Sequence, residues 1–169
     1  MSVDFVTTDL HIRPFTETDR AAMGKLLTDR RIAETYMLPD FDSEAAVDRL
    51  FARFQELSWR DDRYVAAICL DGEVIGFLND VETGDGRIEL GYVIGPDHWG
   101  KGYATQMLRG ATQDLFRRGY QEVVAGAFEE NRASIRVMVK AGMTKIPLEE
   151  DIDYRGKRHH CVYFSIKRT

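Results

Sequence analysis

The segment richest in chemistry is Gly95-Pro96-Asp97-His98-Trp99-Gly100-Lys101-Gly102-Tyr103-Ala104-Thr105, set between a strand-like run and the start of a helix-like one. Glycines let a backbone turn tightly and approach a ligand, and the first N–H groups of a helix have no internal partners, so the two together suit a phosphate or pyrophosphate. Gly95, Gly100 and Lys101 satisfy the G-x-x-x-x-G-K spacing of nucleotide-hydrolase loops, but Gly102 stands where Ser or Thr would hold Mg²⁺. A plain glycine turn leading into a helix is the bland alternative. Cys69 and Cys161 form no C-x-x-C pair, and each lies in an apolar run, so both are expected to be buried, reduced thiols. His159 and His160 are neighbours on a strand and point to opposite faces, so they cannot share an ion, and no metal site is expected. His98 reads as a solvated turn residue.

The elements that must carry this loop emerge from periodicity. Leu10 and Ile12 give a short strand; Thr16 with Asp19 starts a helix through Met23, Leu26 and Leu27. Asp42 or Ser43 caps a second helix whose stripe is Val47, Leu50, Phe51, Phe54 and Leu57, with Trp59 read as a core or helix-packing residue. Tyr64 to Leu70 and Val74 to Leu78 flank Asp71-Gly72-Glu73 as a hairpin, and a turn at 83–86 leads to a strand with Ile88, Leu90, Tyr92 and Ile94 on one side and Arg87, Glu89, Gly91 and Val93 on the other. After the glycine segment, Ala104, Met107, Leu108, Ala111 and Leu115 make a helical stripe that ends before Gly119. Val123 to Phe128 is a strand; Asn131 caps a helix with Ile135, Met138 and Val139 inward, stopping at Gly142; Cys161 to Ile166 is the final strand. The polar stretch 147–158 reads as a solvated loop. The expected fold is α/β, or α+β, with a mixed, mostly antiparallel central sheet and helices on both faces.

Trp99-Gly100-Lys101-Gly102-Tyr103-Ala104 resembles the Q/R-x-x-G-x-G/A loop of the GCN5-related N-acetyltransferase (GNAT) family, with Trp in place of the leading Gln or Arg. Followed by Thr105 and preceded by Gly91-Tyr92, it is similar to the RimJ/RimL-like branch. A second signature of that branch, N-x-x-S-x-x-V-x-x-K-x-G-F/M, is matched by Asn131, Ser134, Val137, Lys140, Gly142 and Met143. The resemblance covers most of the chain and implies one GNAT-like acyl-CoA N-acyltransferase domain over residues 1–169.

The resemblance also implies roles for single residues. Backbone groups of Tyr92, Val93 and Ile94 pair with the pantetheine arm of acetyl-CoA between splayed strands, and one N–H there meets the oxyanion. Trp99 opens the cofactor-binding loop, and backbone N–H groups from Gly100, Lys101, Gly102, Tyr103 and Ala104, with Thr105, hold the pyrophosphate. Glu89 is the candidate general base, acting through water, and a structural Glu paired with an Arg is its bland reading. An α-amino group titrates near about 8 and a lysine near about 10.4, so a substrate amine must lose a proton before it attacks. Ser134 is the candidate acid for the CoA thiolate, and Asn131 a cofactor contact; helix capping explains both without chemistry.

Composition limits the alternatives. With 169 residues, 44% apolar and 30% charged, the chain fits one folded domain, and 23 basic against 28 acidic side chains leave a net charge of −5. No overall positive field favours nucleic acid, and no apolar run approaches the roughly 20 residues of a membrane span. The expectation is therefore a cytoplasmic enzyme that moves the acetyl group of acetyl-CoA directly to a primary amine on a protein N-terminus, a polyamine or another small amine, without a metal. A homodimer is the family-based expectation. A catalytically silent acetyl-CoA sensor and a P-loop-like nucleotide-binding protein are the other two readings.

Overall fold

The computed structural model describes residues Met1–Thr169. The chain forms two internally packed units: Met1–Asn79 with Tyr92–Tyr103, and Asp80–Gly91 with Ala104–Thr169.

The first unit holds β1 (Phe5–Val6), β2 (Leu10–Arg13), α1 (Arg20–Leu27), α2 (Arg30–Ala33), α3 (Glu44–Ser58), β3 (Ala66–Leu70) and the leading half of β4 (Glu73–Gly84). The helix start expected at Thr16 is a capping box: Thr16 N–H donates to Asp19 Oδ2 at 2.8 Å, with a short 3₁₀ turn over Glu17–Asp19 leading into α1. Ser43, not Asp42, caps α3, its Oγ accepting from Ala46 N–H at 3.2 Å. On the α3 stripe Phe51 and Leu57 are buried, and Val47, Leu50 and Phe54 pack partly buried against the same core. Phe15 meets Phe51 and Phe54 edge-on at 5.9 and 6.1 Å, and Phe54 meets Phe77 at 5.0 Å. A fully buried Phe contributes on the order of 2–3 kcal/mol, so these rings dominate this core. Trp59 corrects the expectation: it lies one residue past the helix, 58% exposed, with its indole N–H donating to the Phe15 carbonyl at 2.7 Å.

The second unit holds the end of β4, most of β5 (Arg87–Ile94), nearly all of α4 (Tyr103–Arg117), then β6 (Glu122–Phe128), α5 (Arg132–Lys140), β7 (Thr144–Tyr154) and β8 (Lys157–Lys167). β6 pairs in parallel with β5 from Arg87↔Glu122 to Leu90↔Ala125, and antiparallel with β8 along its whole length. Met107, Leu108, Ala111 and Leu115 are the buried face of α4, as the stripe requires. In α5 only Met138 is fully buried; Ile135 is partly buried and Val139, expected inward, is 55% exposed, so the inward face is narrower than the stripe suggests. Gly142, at φ 95°, closes α5: Met143 N–H reaches the Met138 carbonyl at 3.0 Å.

The hydrogen-bonded strand order is β1-β2-β3-β4-β5-β6-β8-β7. Three two-residue turns join consecutive antiparallel strands: Asp71-Gly72, Asp85-Gly86 and Arg155-Gly156, all with positive φ at both residues, as type I′ geometry demands. The third overturns the loop expected over 147–158, since β7 and β8 form a long hairpin there. β7 is mostly exposed, so no apolar alternation marks it in sequence. No helix is long and apolar enough to cross a membrane.

Candidate active site

In the first unit, the end of β5 and the glycine segment are stitched to their surroundings. Gly95 N–H donates to the Ile75 carbonyl at 2.6 Å, His98 N–H to Gly95 O at 2.9 Å, and Trp99 N–H to Pro96 O at 3.2 Å. The indole Nε1 of Trp99 turns back to the Ile94 carbonyl at 2.7 Å. Gly100 and Gly102 come next at φ 75° and 83°, in the left-handed region, and a Cβ on either would meet nothing within 4 Å. Glycine is therefore required here for backbone conformation and not for room. α4 then begins at Tyr103 with no acidic residue in its first turn, so its positive end is not offset. Lys101 is exposed. His98 departs from the solvated turn residue expected: it is half-buried, its ring 6.4 Å from that of Tyr103, and its Nδ1 is buried without a hydrogen-bond partner.

The backbone of Tyr92, Val93 and Ile94 is sided by strand alternation. A Cβ on Gly76 of β4 would collide with the Val93 carbonyl oxygen, so that carbonyl points at β4, as does Gly95 N–H. Tyr92 and Ile94 direct their backbone groups to the other edge, where the Ile94 carbonyl takes the Trp99 indole. Of the three residues expected to offer backbone to a cofactor arm, these two face away from β4.

In the second unit, Glu89 alternates with buried Ile88 and Leu90 and is itself half-buried. Burial, then the nearby negative charges of Glu82 and Glu150, raise its pKa above the usual carboxylate value, and the Arg87 charge opposes this weakly. Arg87 also pairs with Glu122 at 3.5 Å. Tyr163 donates its hydroxyl to Glu150 Oε2 at 3.0 Å, and burial, then that bond and the charge of Glu89, raise the phenol's pKa. Residues 89, 150 and 163 thus form one electrostatic group.

Asn131 and Ser134 meet as the capping reading requires: Asn131 Oδ1 accepts from Ser134 N–H at 3.2 Å. Ala104 and Thr105 lie in the first turn of α4, partly buried. Cys69 and Cys161 are both free and buried, and burial pushes each thiol up to about 11, so neither is a thiolate nucleophile at neutral pH. His159 and His160 take separate partners, Glu130 at 2.6 Å for the first, Asp151 at 2.8 Å and Glu149 at 3.1 Å for the second.

Glu82, Glu150 and Tyr163 are members of this group that sequence reasoning misses. Counting back from Asp85-Gly86 puts Glu82 opposite Glu89, a signal the turn itself carries; Glu150 and Tyr163 have none, because nothing in the sequence marks β7 as the partner of β8.

The sheet is mixed, with a glycine loop between a strand and a helix N-terminus, and known proteins match the chain. Residues 9–144 match the model of the acetyltransferase (GNAT) domain. The chain is 25% identical to the uncharacterized N-acetyltransferase p20 of Bacillus licheniformis over 166 residues, 93% of this chain and 91% of that protein. Among solved structures, RimL, a ribosomal L7/L12 alpha-N-protein acetyltransferase in complex with coenzyme A, superposes with a TM-score of 0.82 at 20% identity, covering 96% of each chain. The microcin C7 self immunity acetyltransferase MccE, in complex with acetyl-CoA and AMP, gives 0.82 at 14% identity over 95% of this chain and 93% of that one. The chain belongs to the GNAT family. It is an acyl-CoA-dependent N-acetyltransferase.

Proposed function

We propose that the chain moves the acetyl group of acetyl-CoA directly to a primary amine within a ternary complex. The observation that carries the reading is the left-handed pair Gly100 and Gly102, open where side chains would stand and set just before the N-terminus of α4. Such a loop offers backbone N–H groups to a pyrophosphate, with Gly100, Lys101, Gly102, Tyr103, Ala104 and Thr105 as the donors or their neighbours. The complexes of RimL with coenzyme A and of MccE with acetyl-CoA support the same co-substrate. No metal is assigned a role.

Transfer needs four events. The substrate ammonium gives one proton through water to Glu89 and becomes neutral; the amine attacks the thioester carbonyl carbon and a C–N bond forms; the C–S bond breaks; the nitrogen's remaining surplus proton reaches the CoA thiolate by way of Ser134, whose hydroxyl gives one proton and regains another. A raised carboxylate pKa suits the base role, because proton acceptance improves as the acceptor's pKa approaches the operating pH. A backbone N–H of Tyr92 or Ile94 meets the oxyanion, and Asn131 orients the cofactor arm. The likeness to RimL favours a protein N-terminal amine over a polyamine or another small amine as acceptor. In the same reading residues 1–169 act as one catalytic domain, in a cytoplasm that keeps both thiols reduced, and assemble as a homodimer.

A thermal-shift titration tests the co-substrate, since a ligand that binds only the folded state stabilises it with the logarithm of its excess over Kd. A rise with acetyl-CoA and CoA, without one from ATP–Mg²⁺, is expected. An acetylation assay with a basic N-terminal peptide and spermidine then ranks acceptors. No shift with either CoA species, or a shift with ATP–Mg²⁺ alone, overturns the reading.

A further inference from the structure

We infer that Trp99 is a positioning residue for the cofactor loop, acting as a clasp on the Ile94 carbonyl; the inference rests on the acetyl-CoA reading of Gly100–Thr105. The indole is 51% exposed, so burial does not account for its pose, and the Nε1–Ile94 bond of 2.7 Å is what fixes it. That bond closes the six residues from Ile94 to Trp99 on themselves, while Gly95 N–H ties the same point to Ile75 at 2.6 Å and the His98 and Trp99 amides tighten the turn between. Everything from Ile94 to Trp99 is therefore held.

The stretch from Gly100 to Gly102 is open on its side-chain side. Gly100 and Gly102 have open space around the Cβ positions, and Lys101 is exposed. Glycine has the most conformational freedom to lose, so a loop built on two of them orders its amides at a cost unless one end is anchored. The Trp99 clasp is that anchor on the strand side, and α4 continues from the other. Fixing the loop before ligand arrives cuts the ordering cost of binding. The clasp also gives a chemical reason for the departure from Gln or Arg at this position. Gln, Arg and Trp have different shapes and charges, but each carries a side-chain N–H that can donate to a carbonyl.

The test uses the full chain with Trp99→Phe, which keeps an aromatic ring and removes the donor, and Trp99→Gln, which restores a neutral donor. Calorimetric Kd for CoA, steady-state kinetics, and amide hydrogen exchange of Gly100–Gly102 without ligand are the readouts. For Trp99→Phe we expect Kd for CoA and KM for acetyl-CoA to rise about three- to tenfold, the range for losing one hydrogen bond. kcat at saturation should stay within about twofold, and Gly100–Gly102 exchange should be faster. Trp99→Gln should recover most of both losses. The clasp is overturned if Trp99→Phe leaves Kd and exchange as in wild type, or if Gln and Phe weaken binding equally. Should the wild type bind no CoA, the co-substrate reading fails, and the exchange data alone decide the clasp.

Discussion

Gly126 of β6 lies directly opposite Tyr163 of β8, and a Cβ at position 126 would stand 2.6 Å from Tyr163 Cε1. The ring occupies the space a side chain would take, and from there its hydroxyl reaches Glu150. Gly126→Ala should therefore displace a buried ring and loosen that bond, costing about 1–3 kcal/mol as overpacking does. Chemical denaturation measures it; an unchanged midpoint would show that the ring shifts freely.

Glu89→Gln removes the proposed base and should lower kcat by roughly 10²- to 10⁴-fold with little change in KM for acetyl-CoA. The wild-type rate should rise with pH through a value above the ordinary carboxylate pKa, because only ionised Glu89 accepts a proton. That limb should be missing from the variant. Linkage runs the other way: a carboxyl whose folded pKa is raised binds protons more tightly in the folded state, so ionisation lowers stability as pH climbs from the ordinary value through the raised one. At neutral pH, Glu89→Gln should melt at or above the wild-type temperature. A variant retaining full kcat would remove Glu89 from the mechanism.

Gly102→Glu places a carboxylate in the cofactor loop and a side chain at φ 83°. Affinity for CoA should fall at least about tenfold through repulsion of the pyrophosphate and backbone strain of about 1–2 kcal/mol. Unchanged affinity in a thermal-shift titration would take the pyrophosphate away from this loop.

Arg13 grips Asp19 through both guanidinium nitrogens, at 2.8 and 2.9 Å, and Asp19 is 5% exposed. Burial alone would raise the carboxyl's pKa, yet the bonds from Arg13 and Thr16 hold it below the usual value. Its contribution is thus present above the ordinary carboxylate pKa and is lost as pH falls through the depressed one. Asp19→Ala should cost about 3 kcal/mol at pH 7, since it strands a half-buried guanidinium. The gap to wild type should narrow in acid, and a pH-independent gap would assign the loss to packing instead.

The glycine loop, the helix caps and the first two hairpins are legible because each has a short-range signature: Thr16 with Asp19, Ser43 before an apolar stripe, Asp71-Gly72 and Asp85-Gly86 between apolar runs. Arg155-Gly156 turns the chain with the same geometry, but Arg is no usual turn former, and β7 is too exposed to alternate. α2 spans only Arg30–Ala33, too short for a periodic stripe to mark it. Glu89 is visible from its place on a strand, whereas one cause of its raised pKa, Glu150, stands 61 positions later and becomes a neighbour only on folding. The chain's departure at Trp99 is visible as a letter; that the indole bonds Ile94 is not.

β7 is the last strand of the sheet, with one edge unpaired. It carries Glu149, Glu150, Asp151 and Asp153, and its register slips around Pro147 and Leu148. A second copy approaching edge to edge would meet like charges, a proline without an N–H, and a ladder out of step. The hairpin that supplies Glu150 and Tyr163 therefore also ends the sheet on an edge poorly matched to a further strand.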